Sequence, residues 1–503
     1  MKLSVKTLNE PFWAENGFIT PKFEVTQARE RTVKDPLWLH FGAGNIFRVF
    51  TAAMQQKLLD DGLADRGIIV CETYDEELIP AVYKPYDNLT VGVTLGADGS
   101  AKKTVIASIC ESLNAGDSPE RLAEIFTNPS LQIVSFTITE KGYTVTPGRP
   151  GIMNHVTQLL HARYSSGGYP LTFMSLDNCS KNGDILRRAV IAAADNNDKG
   201  FIEYINTNVS FPLSMIDKIT PRPSEKIKDM LESLGLEDCG IIETCKHTFA
   251  ALFVNAEEPG YLVVEDSFKG GRPPLERAGM IFTDRETVEK VEKMKVGTCL
   301  NPLHTALAVF GCLLGYTSVA EEMKDQRLAG FIRRLGYEEG LPAVTDPGII
   351  YPKDFMEECL SERFTNPFVP DTPQRIVCDT SQKIPVRFGG TVKYYIETGA
   401  GIAGLEHIPL FFAGWLKYLT GIDDAGKAFT QSPDPMLEEL GGRMRGVSVN
   451  TVSEAVRPIL SNAAIFGVNL YEHGLGDKVE SIFKEMLPAG GVSRLLERYG
   501  VTK

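Results

Sequence analysis

Up to about residue 290, short apolar runs alternate with segments of helical spacing. Leu37–Gly44 (LWLHFGAG) is a buried strand ending in glycines. In Asn45–Leu63 the apolar positions Ile46, Phe50, Ala53, Met54 and Leu58 recur at helical intervals. Gly67–Thr73, Leu131–Thr139 and Leu171–Asn178 read as further strands, with helices predicted from Ser118 to Phe126, over Met153–Arg163 and over Asp184–Ala194. Thr90–Leu95 and Thr104–Ile109 flank the turn residues Ala97 to Ser100 and predict a hairpin. Beyond about residue 290 the pattern becomes helical: Pro302–Tyr316, His407–Leu419, Val452–Leu470 and Lys478–Tyr499.

Strands separated by helices predict an α/β fold. An N-terminal Rossmann-like, doubly wound sheet domain (1–288) is followed by a mainly α-helical C-terminal domain (289–503). A length of 503 residues fits two cores better than one. The net charge of −13 and the lack of a basic block argue against nucleic acid. The nine cysteines form no CxxC pair, which predicts reduced thiols, a cytoplasmic setting and no zinc site. No apolar leader is seen at the start, and no stretch reads as a membrane span.

Four sites carry candidate chemistry. In the turn His40 to Arg48, Gly42 can bend the chain and Gly44 lets backbone approach a pyrophosphate at the next helix, although Phe47 replaces the third glycine of the fingerprint. Glu72, ending the next strand, can accept from a ribose diol, which favours NAD over NADP; a solvated charge is the plain alternative. Thr139-Glu140-Lys141-Gly142-Tyr143 closes a strand and reads equally as a nicotinamide-side lining or as a polar loop. Ser175 to Gly183 leaves another strand. Its Asp and Asn residues are turn formers, or one buried Asn faces a developing alkoxide.

The last and most informative site is Lys295 to His304, KVGTCLNPLH. It sets an amine, an amide and an imidazole close together, the equipment for interconverting alcohol and ketone. Lys295 is placed before the helix, in a loop or strand end. Asn301 reads as the N-cap ahead of Pro302, and His304 sits one turn into an apolar helix, where a lone histidine is more often a core residue.

In order along the chain, FGAGNIFR, TEKGY, SLDNCSKNG, FPLSMIDKITP, EDSF with GRP, the Lys–Asn–His run and RFTNPFVPDTPQRIVCDTSQKIP resemble the signatures of the mannitol dehydrogenase family, the polyol-specific long-chain dehydrogenases and reductases. The resemblance implies NAD as cofactor, held by Gly42, Gly44, Asn45, Ile46, Phe47, Arg48 and Glu72 with Thr139 and Lys141. It implies Lys295 as general acid/base, Asn178 and Asn301 as the amides on the reacting oxygen, and His304 as the group orienting substrate. Asp217, Arg375 and Lys383 then contact substrate, and no metal is expected. One departure stands out. Five residues, Val296 to Leu300, separate the lysine from the asparagine, where the family usually has four.

Lys141 stands where polyol oxidisers tend to have glycine, so TEKGY resembles the fructuronate reductases more. Reduction of D-fructuronate to D-mannonate is the expectation, in a monomer or small homo-oligomer. Mannitol/fructose and tagaturonate/altronate are the rivals, and the phosphate-bearing substrate is the least favoured. Outside that reaction class stand an NAD-binding sensor without chemistry and an epimerase.

Overall fold

The computed structural model describes residues 1–195, 197–369 and 371–500; Pro370, inside the 363–385 signature, lies outside them. The chain divides into two compact units, Met1–Glu289 and Lys290–Lys503.

The first unit is built on six parallel strands: β1 (Trp38–Phe41), β2 (Ile68–Glu72), β3 (Ile109–Asn114), β4 (Ile133–Phe136), β5 (Leu171–Ser175) and β6 (Val209–Ser210). Their order is β3-β2-β1-β4-β5-β6, which is doubly wound about β1 and β4. Alternate side chains go to opposite faces. Leu39, Phe41, Val134, Phe136 and Phe173 join one apolar core, while Trp38, Ile133 and Met174 join the other. Both faces are covered, which is why these strands read as unbroken apolar runs. Ligands of such sheets bind at the carboxyl ends of the strands on either side of the switch between β1 and β4.

Several expectations are revised. The segment after the β1 turn is not one α-helix. A π-helical turn, Phe47–Thr51, precedes the α-helix Ala52–Asp60. The hairpin forms, but its second arm is Ala101–Ile106, and it lies in a separate four-stranded sheet with Phe18–Ile19 and Phe253–Glu257. The chain leaves that sheet at Ala107 and Ser108, because Gln56 Oε1 takes the Ala107 N–H (2.6 Å) and Ser108 Oγ donates to the Ala52 carbonyl (2.6 Å). Ile109 then starts β3 beside β2.

The second unit is helical. Helix His407–Leu419 is buried along its whole length, beside Asn301–Leu314, of which only Asn301, His304 and Leu314 are less than fully buried. Two predicted long helices are broken. Val452–Leu460 stops two residues beyond Pro458, and the run from 478 divides into Leu475–Met486 and Gly491–Gly500 around Pro488 and a left-handed Gly490. The helical run Arg285–Leu314 has the length and mean hydropathy (1.4) of a membrane span, which the sequence reading overlooked. However, 78% of that apolar window is buried inside the protein, as in a core helix.

Candidate active site

In the first unit the turn after β1 is fixed by contact from both neighbouring strands. Gly42 donates to the Cys71 carbonyl (2.9 Å), and Thr137 donates to the Phe41 carbonyl (2.9 Å). Gly42 has φ +109°, and a Cβ there would lie 2.2 Å from the Thr137 carbonyl oxygen, so no side chain fits. Gly44 is the opposite case: no atom lies within 4 Å of where its Cβ would be. Beneath one glycine is packed backbone, and over the other is open space. Asn45 and Ile46 follow, half-buried, as the first helical residues.

Glu72 does not present a free carboxylate. Its Oε2 accepts from Ala43 N–H (2.7 Å), and its Oε1 accepts from the N–H groups of Thr73 (2.9 Å), Tyr74 (2.8 Å) and Asp75 (3.1 Å). Buried at 6% exposure, it ties the glycine turn to the end of β2. Phe47 and Arg48 also face inward. Phe47 is fully buried and stacks on His40, with ring centroids 4.0 Å apart. Burial pushes the His40 imidazole down to about 3, so it is neutral, with its nitrogens on Ser135 Oγ (2.6 Å) and Thr137 Oγ1 (2.9 Å). Arg48 donates to Thr90 Oγ1 (3.1 Å) and to the Ala251 carbonyl (2.9 Å) beneath the ring of Tyr83. These two side chains support the turn from below, which explains why an aromatic residue is tolerated in place of the third glycine.

At the ends of β4 and β5, Asp177 accepts from Ile138 N–H (3.0 Å), Thr139 N–H (2.9 Å) and Tyr143 Oη (2.6 Å). It caps the short helix Thr139–Gly142, which replaces the predicted loop, and holds Thr139 in a left-handed conformation (φ 62°). Thr139 and Lys141 are exposed on that turn. The buried amide of the SLDNCSKNG run is Asn182. It donates to Ser214 Oγ (2.9 Å) and to the Asp177 carbonyl (3.0 Å), and accepts from Ser214 N–H (3.0 Å). Asn178 is exposed, with no hydrogen-bond partner among the described residues. Asp217 ends the strand Ser214–Asp217, buried opposite Tyr261.

In the second unit, Lys295 is not in a loop. Lys295–Cys299 is a π-helical turn closed by Leu300 N–H on the Lys295 carbonyl (3.2 Å), and it runs directly into helix Asn301–Leu314. Asn301 is the first helical residue, and Leu300 occupies the N-cap position. The π turn falls within the five-residue gap between Lys295 and Asn301, where the extra residue lies. The lysine is 4% exposed.

His304 stacks on Phe364 (5.0 Å between centroids) and points Nε2 at Asp371 Oδ2, 3.5 Å away. Burial pushes its pKa down to about 4. Asp371 opposes that shift, whereas Arg387, Arg375 and Arg363 add to it, so the ring is neutral near pH 7. Asp371 also accepts from Arg375 Nε (2.8 Å). Lys383 donates to the Ile376 carbonyl (3.0 Å) and the Cys378 carbonyl, and burial lowers its pKa. Arg387 donates to the Asn301 carbonyl (3.4 Å) and to Thr305 Oγ1. The second unit thus gathers Asn301, His304, Arg375 and Lys383 with two groups the sequence reading did not single out, Asp371 and Arg387.

Residues 37–277 match the Mannitol dehydrogenase Rossmann domain and residues 287–487 match the Mannitol dehydrogenase C-terminal domain. The chain belongs to the mannitol dehydrogenase family. Among members of the family, a D-mannonate oxidoreductase of Thermotoga maritima is 47% identical, the match covering 97% of this chain and 96% of that one. A mannitol 2-dehydrogenase of Aspergillus clavatus is 31% identical over 99% of each. Among solved structures, the Pseudomonas fluorescens mannitol 2-dehydrogenase in ternary complex with NAD and D-mannitol has 27% identity and a TM-score of 0.72 over 99% of both chains. A D-sorbitol dehydrogenase in substrate-free form reaches 0.84 at 25% identity, covering 98% of this chain and 99% of that one. The fold class and family expected from the seven signatures hold.

In this mannitol dehydrogenase family chain, Arg387 had a detectable signal. It lies four residues after Lys383 on helix Thr380–Arg387, and so on the same face. Asp371 had a weaker one, four residues before Arg375.

Proposed function

We propose that this chain is an NAD-dependent oxidoreductase that interconverts D-fructuronate and D-mannonate. The observation that carries the choice of a sugar acid is the charge around His304. Beside that ring, where Arg375 is paired with Asp371, the Arg387 guanidinium meets no carboxylate among the described residues, which leaves a positive charge suited to an anion. The end-to-end likeness to a D-mannonate oxidoreductase supports the same choice.

The first unit fits a dinucleotide. A Cβ at Gly44 would fill the open space over the turn, where pyrophosphate would meet the backbone N–H groups of Gly44 and Asn45 at a helix start. Glu72, Phe47 and Arg48 would brace that turn, with Ile46, Thr139 and Lys141 flanking it. When bound, NADH supplies the hydride. In ketone reduction, the amide of Asn301 holds the oxygen as it gains charge, and Asn178 is the amide the first unit offers for the same task. Lys295 gives that oxygen its proton and takes it back in the reverse direction. The neutral His304, kept in register by Asp371 and Phe364, orients a substrate hydroxyl. Asp217, Arg375 and Lys383 contact the rest of the chain of hydroxyls.

The test is NADH loss in the presence of D-fructuronate, D-tagaturonate and D-fructose. The reading expects D-fructuronate to be fastest, and no NADH loss with any of them would overturn it. NADH binding without oxidation would identify a sensor, and sugar conversion without net NADH change an epimerase.

A further inference from the structure

Arg387 is a half-buried cation whose charge is not cancelled. Its guanidinium reaches the Asn301 carbonyl (3.4 Å) and Thr305 Oγ1 through one nitrogen, Nη1, and no carboxylate among the described residues pairs with it. Its remaining N–H donors are neither hydrogen-bonded nor among the sealed polar atoms of the interior. Burial alone lowers its pKa, to about 10, which still leaves it charged near neutrality. A charged group costs free energy to bury without a partner, so an arrangement of this kind is expected where a ligand supplies the partner.

The contrast with its neighbours is informative. Arg375 is engaged by Asp371, and the Lys383 ammonium by two backbone carbonyls. Arg387 alone of these three is anchored to the backbone of Asn301, the residue proposed to hold the reacting oxygen. In a 5-keto hexonate only three carbons separate the ketone from the carboxylate, a span of about 5 Å at ordinary bond lengths. A guanidinium held at the Asn301 backbone is close enough to serve such a short substrate, and planar bidentate pairing is what guanidinium offers carboxylate.

We propose that Arg387 binds the substrate carboxylate and makes this site select a keto sugar acid over a neutral ketose. The proposal rests on the sugar-acid reading above and adds the residue that enforces it. Arg387→Gln, Arg387→Lys and the unsubstituted enzyme are compared for kcat/KM on D-fructuronate and on D-fructose, alongside NADH affinity by fluorescence titration. The expected result is a fall of about 100-fold in kcat/KM for D-fructuronate in the Gln variant, mostly through KM, as fits loss of a charge-assisted pair. NADH affinity should change little and kcat/KM for D-fructose should fall far less than that for D-fructuronate, so the preference for the acid collapses. Arg387→Lys, which keeps the charge, should recover part of it. An undiminished preference in Arg387→Gln would overturn the proposal and leave the sugar-acid reading standing. Failure of the unsubstituted enzyme to reduce D-fructuronate would overturn both. If Arg387→Gln loses NADH binding and so reports misfolding, the Lys variant decides: wild-type KM for D-fructuronate would contradict a bidentate contact, and a raised KM with unaltered NADH affinity would support it.

Discussion

The glycine turn of the first unit and the helical run of the second use buried charge in opposite ways. Around the turn, charged side chains are spent on the backbone. Glu72 takes four N–H groups, Arg48 binds a hydroxyl and a carbonyl, and Asp177 caps the Thr139 turn. The surface that results is made of main chain and open space, suited to a ligand common to a whole fold class. On the helical run the backbone is regular except for one π turn, and Arg387, reaching it from helix Thr380–Arg387, is left with unused donors. On the proposed function, the cofactor would meet a braced backbone, and the substrate carboxylate a guanidinium with donors to spare.

The contrast is broken most sharply by Lys295→Ala. Turnover should fall by about 1,000-fold, as for loss of a general acid/base, with NADH affinity unchanged. Stopped-flow reduction with a parallel NADH titration reads both, and a variant of ordinary activity would remove Lys295 from the mechanism. Glu72→Ala should act on the other unit, costing about 3 kcal/mol of stability by leaving four N–H groups without their acceptor, and weakening NADH binding. Denaturant unfolding checks the first effect; unaltered NADH affinity would show that the brace does not serve the turn.

The pH dependence sharpens the picture of the second unit. His304 titrates near 4 in the folded chain and near 6.5 when unfolded. Between those values the unfolded chain binds the extra proton, so stability is lost as pH falls through this window, by roughly 3 kcal/mol at most. His304→Gln should flatten that slope in melts taken from pH 7 to pH 4; an unchanged slope would mean the ring is not held neutral. The smallest effect is expected from deleting Val296, which shortens the π turn to α geometry. If the π turn only absorbs the extra residue, activity should stay within about tenfold of normal. Complete loss would show that the π geometry is itself required.

The parallel strands were legible because strands covered on both faces must be apolar throughout, and the helices between them because their apolar positions recur at turn intervals. The four-stranded sheet was not, since Thr90–Leu95 pairs with Phe253–Glu257, more than 150 residues away, and only the hairpin half of that sheet is local. The π turns Phe47–Thr51 and Lys295–Cys299 escaped notice as well. A π turn changes winding without changing composition, and only the five-residue gap between Lys295 and Asn301 recorded one of them. Glu72 and Arg48 resembled solvated or ligand-facing charges because a sequence does not show how many backbone groups a buried side chain serves. Asn178 and Asn182 occupy the same polar turn, and a left-handed Lys181 (φ 53°) directly precedes the one that is turned inward.

The most direct test of the account is to incubate the enzyme with D-fructuronate and NADH carrying deuterium at the transferable position, and to analyse the product by mass spectrometry and NMR. The account predicts D-mannonate with one deuterium on the carbon that was the ketone, formed in step with NADH consumed. Unlabelled product, or NADH that binds and is not oxidised, would contradict it.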